Sequence, residues 1–495
     1  MTMRISEWMA ESGVKFGTSG ARGLVSRMDD RLCFVYATGF LKHLENLGEF
    51  APGTKVALGG DLRPSTPRIV RACAAAVRRM GGEVLHCGAI PSPALACGAM
   101  ARGIPSIMVT GSHIPADRNG IKFTRASGEI RKEDERGISA LEVEVPDGLF
   151  SPEGALLSDE PDGFSAAPEA GWAHEIYAKR ILEFLGGGAL RGLRLGYYQH
   201  SAVGRDFLPE LLRRMGAEVE PLARAEEFVP VDTEAISDRD RKLGREWGAL
   251  GRYDAVLSTD GDSDRPLLAD ERGIWWRGDA LGLTAARELG AAAVALPASC
   301  TTGAELCGWF EILRTKIGSP YVIAGMEELA ARAPEGASVV GFEANGGFLV
   351  QTEARRDGRI LPPLPTRDAL LPMVLALSAA SRRKIPLSAL LAELPARAGA
   401  SGLLREYPTE RSAAAIERLR RATLPELTAE FAGIEGTEAV RVDDLDGVRI
   451  FFADGDTIHL RPSGNAPEFR CYTESATEER AEALLAGTLA AMAEF

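Results

Sequence analysis

Short apolar runs alternate with longer segments of helical periodicity along the first two-thirds of the chain. Residues 55–58 form a strand-like apolar run, a helix start with a proline at its first turn follows at Ser65, and two glycines at 81–82 end that helix. Another strand-like run occupies residues 83–85. This order predicts strand–helix–strand units whose strands pair in parallel through right-handed crossovers.

The same unit is repeated further along the chain. Residues 193–198 are strand-like, and the helix that follows ends in a segment, residues 213–219, that is nearly a copy of residues 78–84. Because the copy falls at the same point of both units, it predicts tandem α/β domains.

The C-terminal part of the chain has a different pattern. Strand-like runs at residues 448–452, 457–460 and 468–472 are closely spaced, and an alanine-rich amphipathic helix follows from about Thr477 to Met492. Short connections between strands, closed by one helix, are typical of an α+β module.

Length and composition suggest where the domains end. At roughly 100 to 200 residues per domain, 495 residues predict three or four domains. Turn-forming residues concentrate at 146–171 and 270–273, a proline-rich piece at 361–365 precedes a helical run, and residues 384–386 look like the last linker. We therefore expect domains at residues 1–160, 161–272, 273–384 and 385–495.

Charge and cysteine content exclude several classes of partner. The formal charge of -13 argues against nucleic acid or an anionic membrane surface as a general partner, so an anionic small molecule would need a local basic pocket. No apolar stretch reaches the about 18 residues of a membrane span, and no signal-like N-terminus is present, so we expect a cytoplasmic protein. Seven scattered cysteines without a CxxC pair predict reduced, mostly buried thiols.

A serine and a histidine stand in a glycine-bearing turn directly after a strand-like run. Ser112 and His113 follow residues 107–109, and Lys122 comes shortly after them. The carboxyl end of a strand is where open α/β sheets present reactive groups. A solvated turn explains this segment equally well by itself. Three further polar loops in the same chain, at residues 260–265, 341–347 and 461–467, favour the functional interpretation.

Three aspartates alternate in the second of these loops. In an extended segment Asp260, Asp262 and Asp264 would point to one side, where they would repel unless a hard divalent cation lay among them. An EF-hand is excluded because Arg265 stands where that loop needs glycine and the preceding segment is strand-like. Three monodentate carboxylates favour Mg2+ over a closed calcium site; a solvated acidic turn is the alternative.

The last polar loop offers donors suited to a dianionic phosphate. Arg461 supplies a guanidinium, Ser463 a hydroxyl, Asn465 a carboxamide, and Gly464 gives the backbone the freedom to turn its amides toward a ligand. A plain hairpin turn is the alternative interpretation.

The glycine-rich loop at residues 341–347 carries two groups that suit a sugar. Glu343 can accept from vicinal hydroxyls, and Asn345 can both accept and donate. A carboxylate that only caps a turn would look much the same in sequence.

Taken together, these four loops resemble those of the α-D-phosphohexomutase family, most closely its bacterial phosphomannomutases. Their order covers nearly the whole chain, and residues 16–23 also resemble the family's first active-site segment, which makes Arg22 a candidate catalytic cation. The resemblance implies an α/β protein with three tandem mixed-sheet α/β domains and a C-terminal α+β domain, heart-shaped around a central active-site cleft.

The resemblance also implies a reaction. Ser112 would carry a phosphoryl group, and His113, Lys122 and Arg265 would line the transfer site. Hexose 6-phosphate and hexose 1-phosphate would interconvert through a hexose 1,6-bisphosphate, which is both intermediate and activator and turns end for end. Mannose phosphate is the expected substrate, with glucose phosphate as a second one, and the enzyme would be a monomer or homodimer. One Mg2+ would be held by the phosphorylated Ser112 and the three aspartates, Asp260, Asp262 and Asp264.

Two departures from the family pattern affect these expectations. In many members the sugar loop has serine and histidine where this chain has Asn345 and Gly347, so a histidine base cannot be transferred. Arg22, Lys122 and His113 remain as candidates for moving the proton. The milder departure is Ile114, where asparagine is more usual.

Two other functions compete with phosphomannomutase. A phosphoglucosamine mutase would need a group that recognises a 2-amino substituent, and the sequence offers no obvious one. A non-catalytic sugar-phosphate sensor would need the Arg461 clamp but no phosphoryl donor, so the presence of Ser112 and all three aspartates argues against it.

Overall fold

The protein is described by a computed structural model that covers residues 2–17, 20–158, 171–463 and 467–495. Within these residues the chain forms three mixed sheets with flanking helices and then one antiparallel sheet with helices. This confirms the predicted fold class of three α/β units followed by an α+β unit. The parallel pairing expected from the strand–helix–strand pattern is present in each mixed sheet, and antiparallel strands extend each one.

The first sheet carries the serine loop. Its order is β2-β3-β7-β6-β4-β5, with β8 beside β7, while β1 and β9 form a separate pair. Strands β5 and β6 lie parallel to β4, and β7 is antiparallel to β6. The strands are β1 (Thr2–Arg4), β2 (Lys15–Phe16), β3 (Ala21–Leu24), β4 (Lys55–Gly60), β5 (Glu83–Ala89), β6 (Ser106–Val109), β7 (Arg118–Arg125), β8 (Gly128–Glu129) and β9 (Glu142–Glu144). The helices are α1 (Ile5–Ser12), α2 (Asp30–Asn46), α3 (Thr66–Arg79), α4 (Ser92–Ala101) and α5 (Lys132–Ala140), with a 3-10 turn at Val25–Arg27.

The second sheet is smaller and carries the aspartate loop. Its order is β11-β10-β12-β13, and its last strand is antiparallel to β12. The elements are α6 (Gly171–Leu185), β10 (Arg194–His200), α7 (Phe207–Arg214), β11 (Glu218–Arg224), α8 (Asp238–Ala249), β12 (Ala255–Thr259) and β13 (Pro266–Ala269).

The third sheet carries the sugar loop in the order β15-β14-β16-β17-β20, with β18 and β19 as a separate hairpin. Its strands are β14 (Ala293–Pro297), β15 (Glu311–Thr315), β16 (Val339–Phe342), β17 (Phe348–Val350), β18 (Ala354–Arg356), β19 (Arg359–Leu361) and β20 (Leu364–Asp368). Its helices are α9 (Gly278–Glu288), α10 (Gly303–Cys307), α11 (Ser319–Arg332), α12 (Leu370–Arg383) and α13 (Leu387–Leu391).

The fourth sheet is antiparallel throughout, in the order β21-β25-β24-β23-β22. Its strands are β21 (Ala398–Arg405), β22 (Ala439–Asp443), β23 (Val448–Phe452), β24 (Thr457–Pro462) and β25 (Glu468–Ser475). Its helices are α14 (Thr409–Arg421), α15 (Leu424–Phe431) and α16 (Glu478–Glu494). The three C-terminal strands and the last helix were predicted from sequence, with Thr477 as the helix N-cap.

The two helix ends that resemble each other in sequence also have the same conformation. Gly81 follows α3 with φ 81°, and Gly216 follows α7 with φ 96°. A left-handed residue after a helix is favourable for glycine because it has no Cβ, which explains why both units use it at this point.

The proline-rich piece at residues 361–365 is not a linker. Pro365 lies in β20, which is an edge strand and pairs only with β17. Proline is tolerated there because the missing N–H is not needed on the open side of the sheet.

Strands β6 and β16 are buried along their whole length, so the loops that leave their ends start from rigid positions. All seven cysteines are free thiols and six of them are buried, as the sequence predicts. Among the helices of the described segments, none has the length and apolar character needed to cross a bilayer.

Candidate active site

The serine loop holds Ser112 in a strained backbone conformation. Ser112 has φ 56° and is fully buried. A non-glycine residue in the left-handed region costs about 1–3 kcal/mol and persists only when its surroundings hold it there. The Ser112 amide donates to the Thr110 hydroxyl at 2.8 Å, and that hydroxyl donates to Asp61 at 2.7 Å. Such strain is common at reactive positions.

Arg63 braces the same loop from inside the protein. Its guanidinium donates to the carbonyl oxygens of Ser112 at 2.9 Å and Pro115 at 2.7 Å, and its Nε lies 3.1 Å from Asp61. The sequence analysis missed this residue. The available signal was the charged pair Asp61 and Arg63 directly after β4. Strand β4 lies parallel to β6, so both strands end at the same edge of the sheet.

The three aspartates converge through a tight turn. Residues 260–265 connect the antiparallel strands β12 and β13, and Ser263 has φ 59°. Each aspartate offers a carboxylate oxygen, and these oxygens lie within 4.8 Å of one another. The expectation that an extended segment aligns them is wrong, because a hairpin turn rather than strand alternation brings the three side chains together.

The serine and aspartate loops are in direct contact. The Ser112 hydroxyl donates to Asp260 Oδ2 at 2.5 Å, and Lys122 Nζ donates to Asp262 Oδ2 and Asp264 Oδ2 at 2.6 Å each. A Cβ at Gly261 would lie 2.6 Å from the Ser112 carbonyl oxygen, so only glycine permits this approach. The fold therefore brings the serine, the lysine and the aspartates into one buried cluster.

His113 and Arg265 form a pair beside this cluster. Arg265 Nη1 lies 2.7 Å from His113 Nδ1. A guanidinium can only donate, so Nδ1 accepts and the ring carries its proton on Nε2. Burial and then the charge of Arg265 hold the pKa of His113 well below its usual range. The imidazole is therefore neutral at physiological pH.

Arg22 is a partly exposed cation whose Nε and Nη2 donors are buried. Among the described residues, nothing accepts from its Nε and Nη2. Burial, followed by the charges of Arg265 and Arg367, lowers the pKa of Arg22 to about 10, so it stays protonated at neutral pH. A cation with unused buried donors suits an anionic ligand such as a phosphate.

The aspartate cluster can hold a metal ion. Oδ1 of Asp262 and Oδ1 of Asp264 are buried, and no group in the described part of the chain donates to them. Burial and the two neighbouring carboxylates raise the pKa of Asp260 well above its usual range, which expresses the repulsion among the three. Partnerless carboxylate oxygens in an all-oxygen donor set fit a hard divalent cation.

The sugar loop is the turn between β16 and β17. Glu343 is buried and its Oε2 accepts from Arg367 at 3.3 Å. Asn345 Oδ1 accepts from the Gly347 amide at 3.0 Å, which leaves the Asn345 amide group rather than its oxygen for a ligand. Thr233 of the second α/β unit donates to the Asn345 carbonyl at 2.7 Å and ties the loop to that unit.

Arg367 is a second residue that the sequence analysis missed. Its Nε and Nη2 lie 3.0 and 2.9 Å from Asp264 Oδ2. A Cβ placed on Gly347 would lie 2.6 Å from Arg367 Cδ. The space that a side chain at residue 347 would need is thus filled by the arginine stem. The only sequence signal was the charged pair Arg367 and Asp368 at the end of the uncharged residues 360–366.

The described residues of the candidate phosphate loop make their contacts within the C-terminal α+β unit. Arg461 lies near the end of β24 with its Nε 3.2 Å from Asp446 Oδ2, and the Ser463 amide donates to the Glu468 carbonyl at 2.9 Å. Among the residues that the structure covers, Arg461 makes its ion pair with Asp446 and none with the three aspartates of the metal loop. The other two predicted positions of this loop, Gly464 and Asn465, lie outside the described residues.

Family models match the chain in four consecutive parts. The phosphoglucomutase/phosphomannomutase α/β/α domains I, II and III match residues 13–143, 175–273 and 280–398, and the C-terminal domain of the same proteins matches residues 409–491. The chain belongs to this family. Its members are phosphohexomutases, isomerases that transfer a phosphoryl group between positions of one sugar.

Individual relatives agree with the family models. The chain is 43% identical to a phosphomannomutase of Sinorhizobium fredii, over 97% of this chain and 99% of that protein. It is 42% identical to a phosphomannomutase of Salmonella muenchen, over 95% and 94%. A crystal structure of a phosphoglucomutase/phosphomannomutase family protein from Burkholderia thailandensis superposes with a TM-score of 0.68 at 20% identity, covering 96% of this chain and 97% of that one, which supports the fold.

Proposed function

We propose that this phosphohexomutase interconverts mannose 6-phosphate and mannose 1-phosphate, with glucose phosphates as further substrates. The observation that carries the proposal is the hydrogen bond from the Ser112 hydroxyl to Asp260, at the edge of three converging buried carboxylates. A nucleophilic hydroxyl beside a candidate metal site is the arrangement that phosphoryl transfer needs. Two phosphomannomutases at 42–43% identity favour mannose.

The reaction has two phosphoryl transfers. In the first, the bond between phosphorus and Ser112 Oγ breaks while a bond to the free hydroxyl of the hexose monophosphate forms, and that hydroxyl loses its proton. The resulting hexose 1,6-bisphosphate turns end for end. In the second transfer the bond between phosphorus and the other sugar oxygen breaks while a bond to Ser112 Oγ forms, and the sugar oxygen takes the proton back. Arg22 and Arg265 supply positive charge around the transferring group, and Lys122 becomes a cation when it takes the proton.

Mg2+ would be held by Asp260, Asp262 and Asp264 together with the Ser112 phosphate, and it would neutralise charge on the transferring phosphoryl group. The chain's own side chains shield this site from bulk solvent, because all three aspartates are buried. We also propose hexose 1,6-bisphosphate as activator and a monomer or homodimer as the assembly.

The proton of the attacking hydroxyl needs an acceptor, and one of the three candidates can supply it. His113 offers no free lone pair while its Nδ1 accepts from Arg265 and its Nε2 is protonated. Arg22 stays protonated at neutral pH, and a guanidinium can only donate. We therefore assign this role to Lys122, whose Nζ reaches the cluster directly and can take a proton as the neutral amine.

Replacing Arg461 by alanine should weaken substrate binding in both directions of the reaction. A charge-assisted hydrogen bond contributes roughly 1.5–3 kcal/mol, or about 10- to 150-fold in affinity. Steady-state kinetics would show KM raised by this factor with a smaller change in kcat. Arg405→Ala, an exposed arginine at the end of β21, is the control. An unchanged KM with a collapsed kcat would instead assign Arg461 to the chemical step.

The protein should turn over both mannose 1-phosphate and glucose 1-phosphate. A sugar that binds in two opposite orientations is recognised best through its 3- and 4-hydroxyls, which lie near the middle of the ring. The 2-hydroxyl, which distinguishes mannose from glucose, occupies a different position in each orientation. We expect kcat/KM to differ by about tenfold or less, which is about 1.4 kcal/mol. A coupled assay with mannose, glucose and glucosamine 1-phosphates measures this, and Glu343→Ala should reduce the first two alike.

A glucose 1-phosphate rate more than about a thousandfold below that of mannose 1-phosphate would contradict dual specificity, because some residue would then read the 2-position. Preference for glucosamine 1-phosphate over both sugars would replace the proposed substrate by an amino sugar.

A further inference from the structure

Arg367 joins two loops that come from different sheets. It lies in β20, its side chain is 1% exposed, and its guanidinium faces two carboxylates. Nε and Nη2 lie 3.0 and 2.9 Å from Asp264 Oδ2, and Nη1 lies 3.3 Å from Glu343 Oε2. One side chain thus bridges the aspartate loop and the sugar loop.

The two carboxylate oxygens of Asp264 differ in their hydrogen-bond donors. Oδ2 accepts from Arg367 and from Lys122, whereas Oδ1 is buried and lacks a donor among the described residues. Partners of this kind orient a metal-binding carboxylate and set its affinity. The guanidinium therefore fixes the Asp264 carboxylate through Oδ2 and leaves Oδ1 for another ligand.

Gly347 makes room for this arrangement. A Cβ there would lie 2.6, 2.7 and 3.1 Å from the Cδ, Cγ and Cβ atoms of Arg367. These atoms belong to the stem of the arginine, so a side chain at residue 347 would displace the whole guanidinium. The loop backbone is held in place at the same point, because the Gly347 amide donates to Asn345.

We propose that Arg367 is a positioning residue that couples the sugar loop to the metal loop, with Gly347 keeping its place open. The sugar side of the coupling rests on the proposed function, whereas the Asp264 side rests on the hydrogen bonds of Arg367 alone. A shift of the guanidinium when Glu343 binds a sugar hydroxyl changes the orientation of Asp264. By linkage, sugar phosphate and Mg2+ must then alter each other's affinity by the same factor.

The coupling can be measured without turnover. Calorimetric titration of Mg2+ into dephosphorylated protein, with and without saturating mannose 1-phosphate, gives both the affinity and the coupling factor. The proteins compared are wild type, Arg367→Met, Gly347→Ala and the double variant. Arg355→Met is the matched control, because Arg355 is a largely exposed arginine of the same α/β unit that pairs with Glu353.

We expect Arg367→Met to weaken Mg2+ binding by about 10- to 100-fold and to abolish the effect of mannose 1-phosphate on it. Gly347→Ala should change the Mg2+ affinity and the coupling factor in the same direction as Arg367→Met does. The double variant should bind Mg2+ no more weakly than the weaker-binding single variant, since both substitutions act through the Arg367 side chain. Arg355→Met should stay within about twofold of wild type.

Wild-type Mg2+ affinity and coupling in Gly347→Ala would overturn the proposal, as would losses that add in the double variant. If Arg367→Met lacked a cooperative thermal transition, Gly347→Ala would decide the question. A wild-type protein that converted no hexose phosphate would refute the proposed function, while the Mg2+ titration without sugar would still test the role of Arg367 at Asp264.

Discussion

Replacing Ser112 by alanine removes nearly all turnover, by about a thousandfold or more, while sugar phosphate still binds. The hydroxyl is the atom that carries the phosphoryl group between the two half-reactions, and no neighbouring side chain can take its place. Its hydrogen bond to Asp260 and its strained, buried position give it a single orientation toward the aspartates. Steady-state rates and the dissociation constant of mannose 1-phosphate measure the two parts of this prediction.

The same assignment predicts partial phosphorylation of the protein as purified. Intact mass and peptide mapping should locate the group on Ser112 and find none in Ser112→Ala. Ser26→Ala, a change at an exposed serine of the same α/β unit, is the control and should keep wild-type activity. Wild-type activity in Ser112→Ala would remove the serine from the mechanism.

Replacing Asp262 by alanine has the second largest expected effect. Although burial raises the pKa of Asp262, the nearby charge of Lys122 more than offsets it and lowers that pKa, so the carboxylate is ionised at neutral pH. Its Oδ1 is buried without a donor among the described residues, which is the state of an oxygen available to a cation. Loss of one charged ligand should lower Mg2+-dependent turnover by about a hundredfold or more, since a bound metal contributes several kcal/mol to charge stabilisation.

Activity measured against Mg2+ concentration, and after chelation, tests this role. Asp238→Ala, in the exposed first turn of α8, makes the same change of charge in the same α/β unit and should leave the Mg2+ dependence unchanged. Full activity in excess chelator would show that the aspartates are not a metal site.

The candidate site could be predicted in parts. Ser112, the aspartates and Glu343 lie in loops of unusual composition directly after strand-like runs, and Arg461 lies at the end of such a run. This composition is a local property of the chain. Turn-forming and polar residues at a strand end identify such loops without knowledge of packing. The resemblance between this order of loops and a known family then supplied the reaction, and the family models agree with it.

The contacts between these loops could not be predicted from local patterns. Arg367 and Asp264 are 103 residues apart, and Arg63 and Ser112 are 49 apart. Such pairs meet only because strands from different parts of the chain end at neighbouring sheet edges. The aspartates illustrate the limit, because their convergence was expected for the wrong reason and is produced by a hairpin turn.

The sequence by itself determined several strands and helices, the order of the α/β and α+β units, and the chemical nature of each loop, because hydrophobic periodicity and turn residues act over a few positions. The tertiary structure alone decided that Arg367 fills the space above Gly347, that Arg63 braces the serine loop, and that His113 is neutral beside Arg265. These features depend on burial and on which charges meet across sheets, and both arise only when the whole chain is packed.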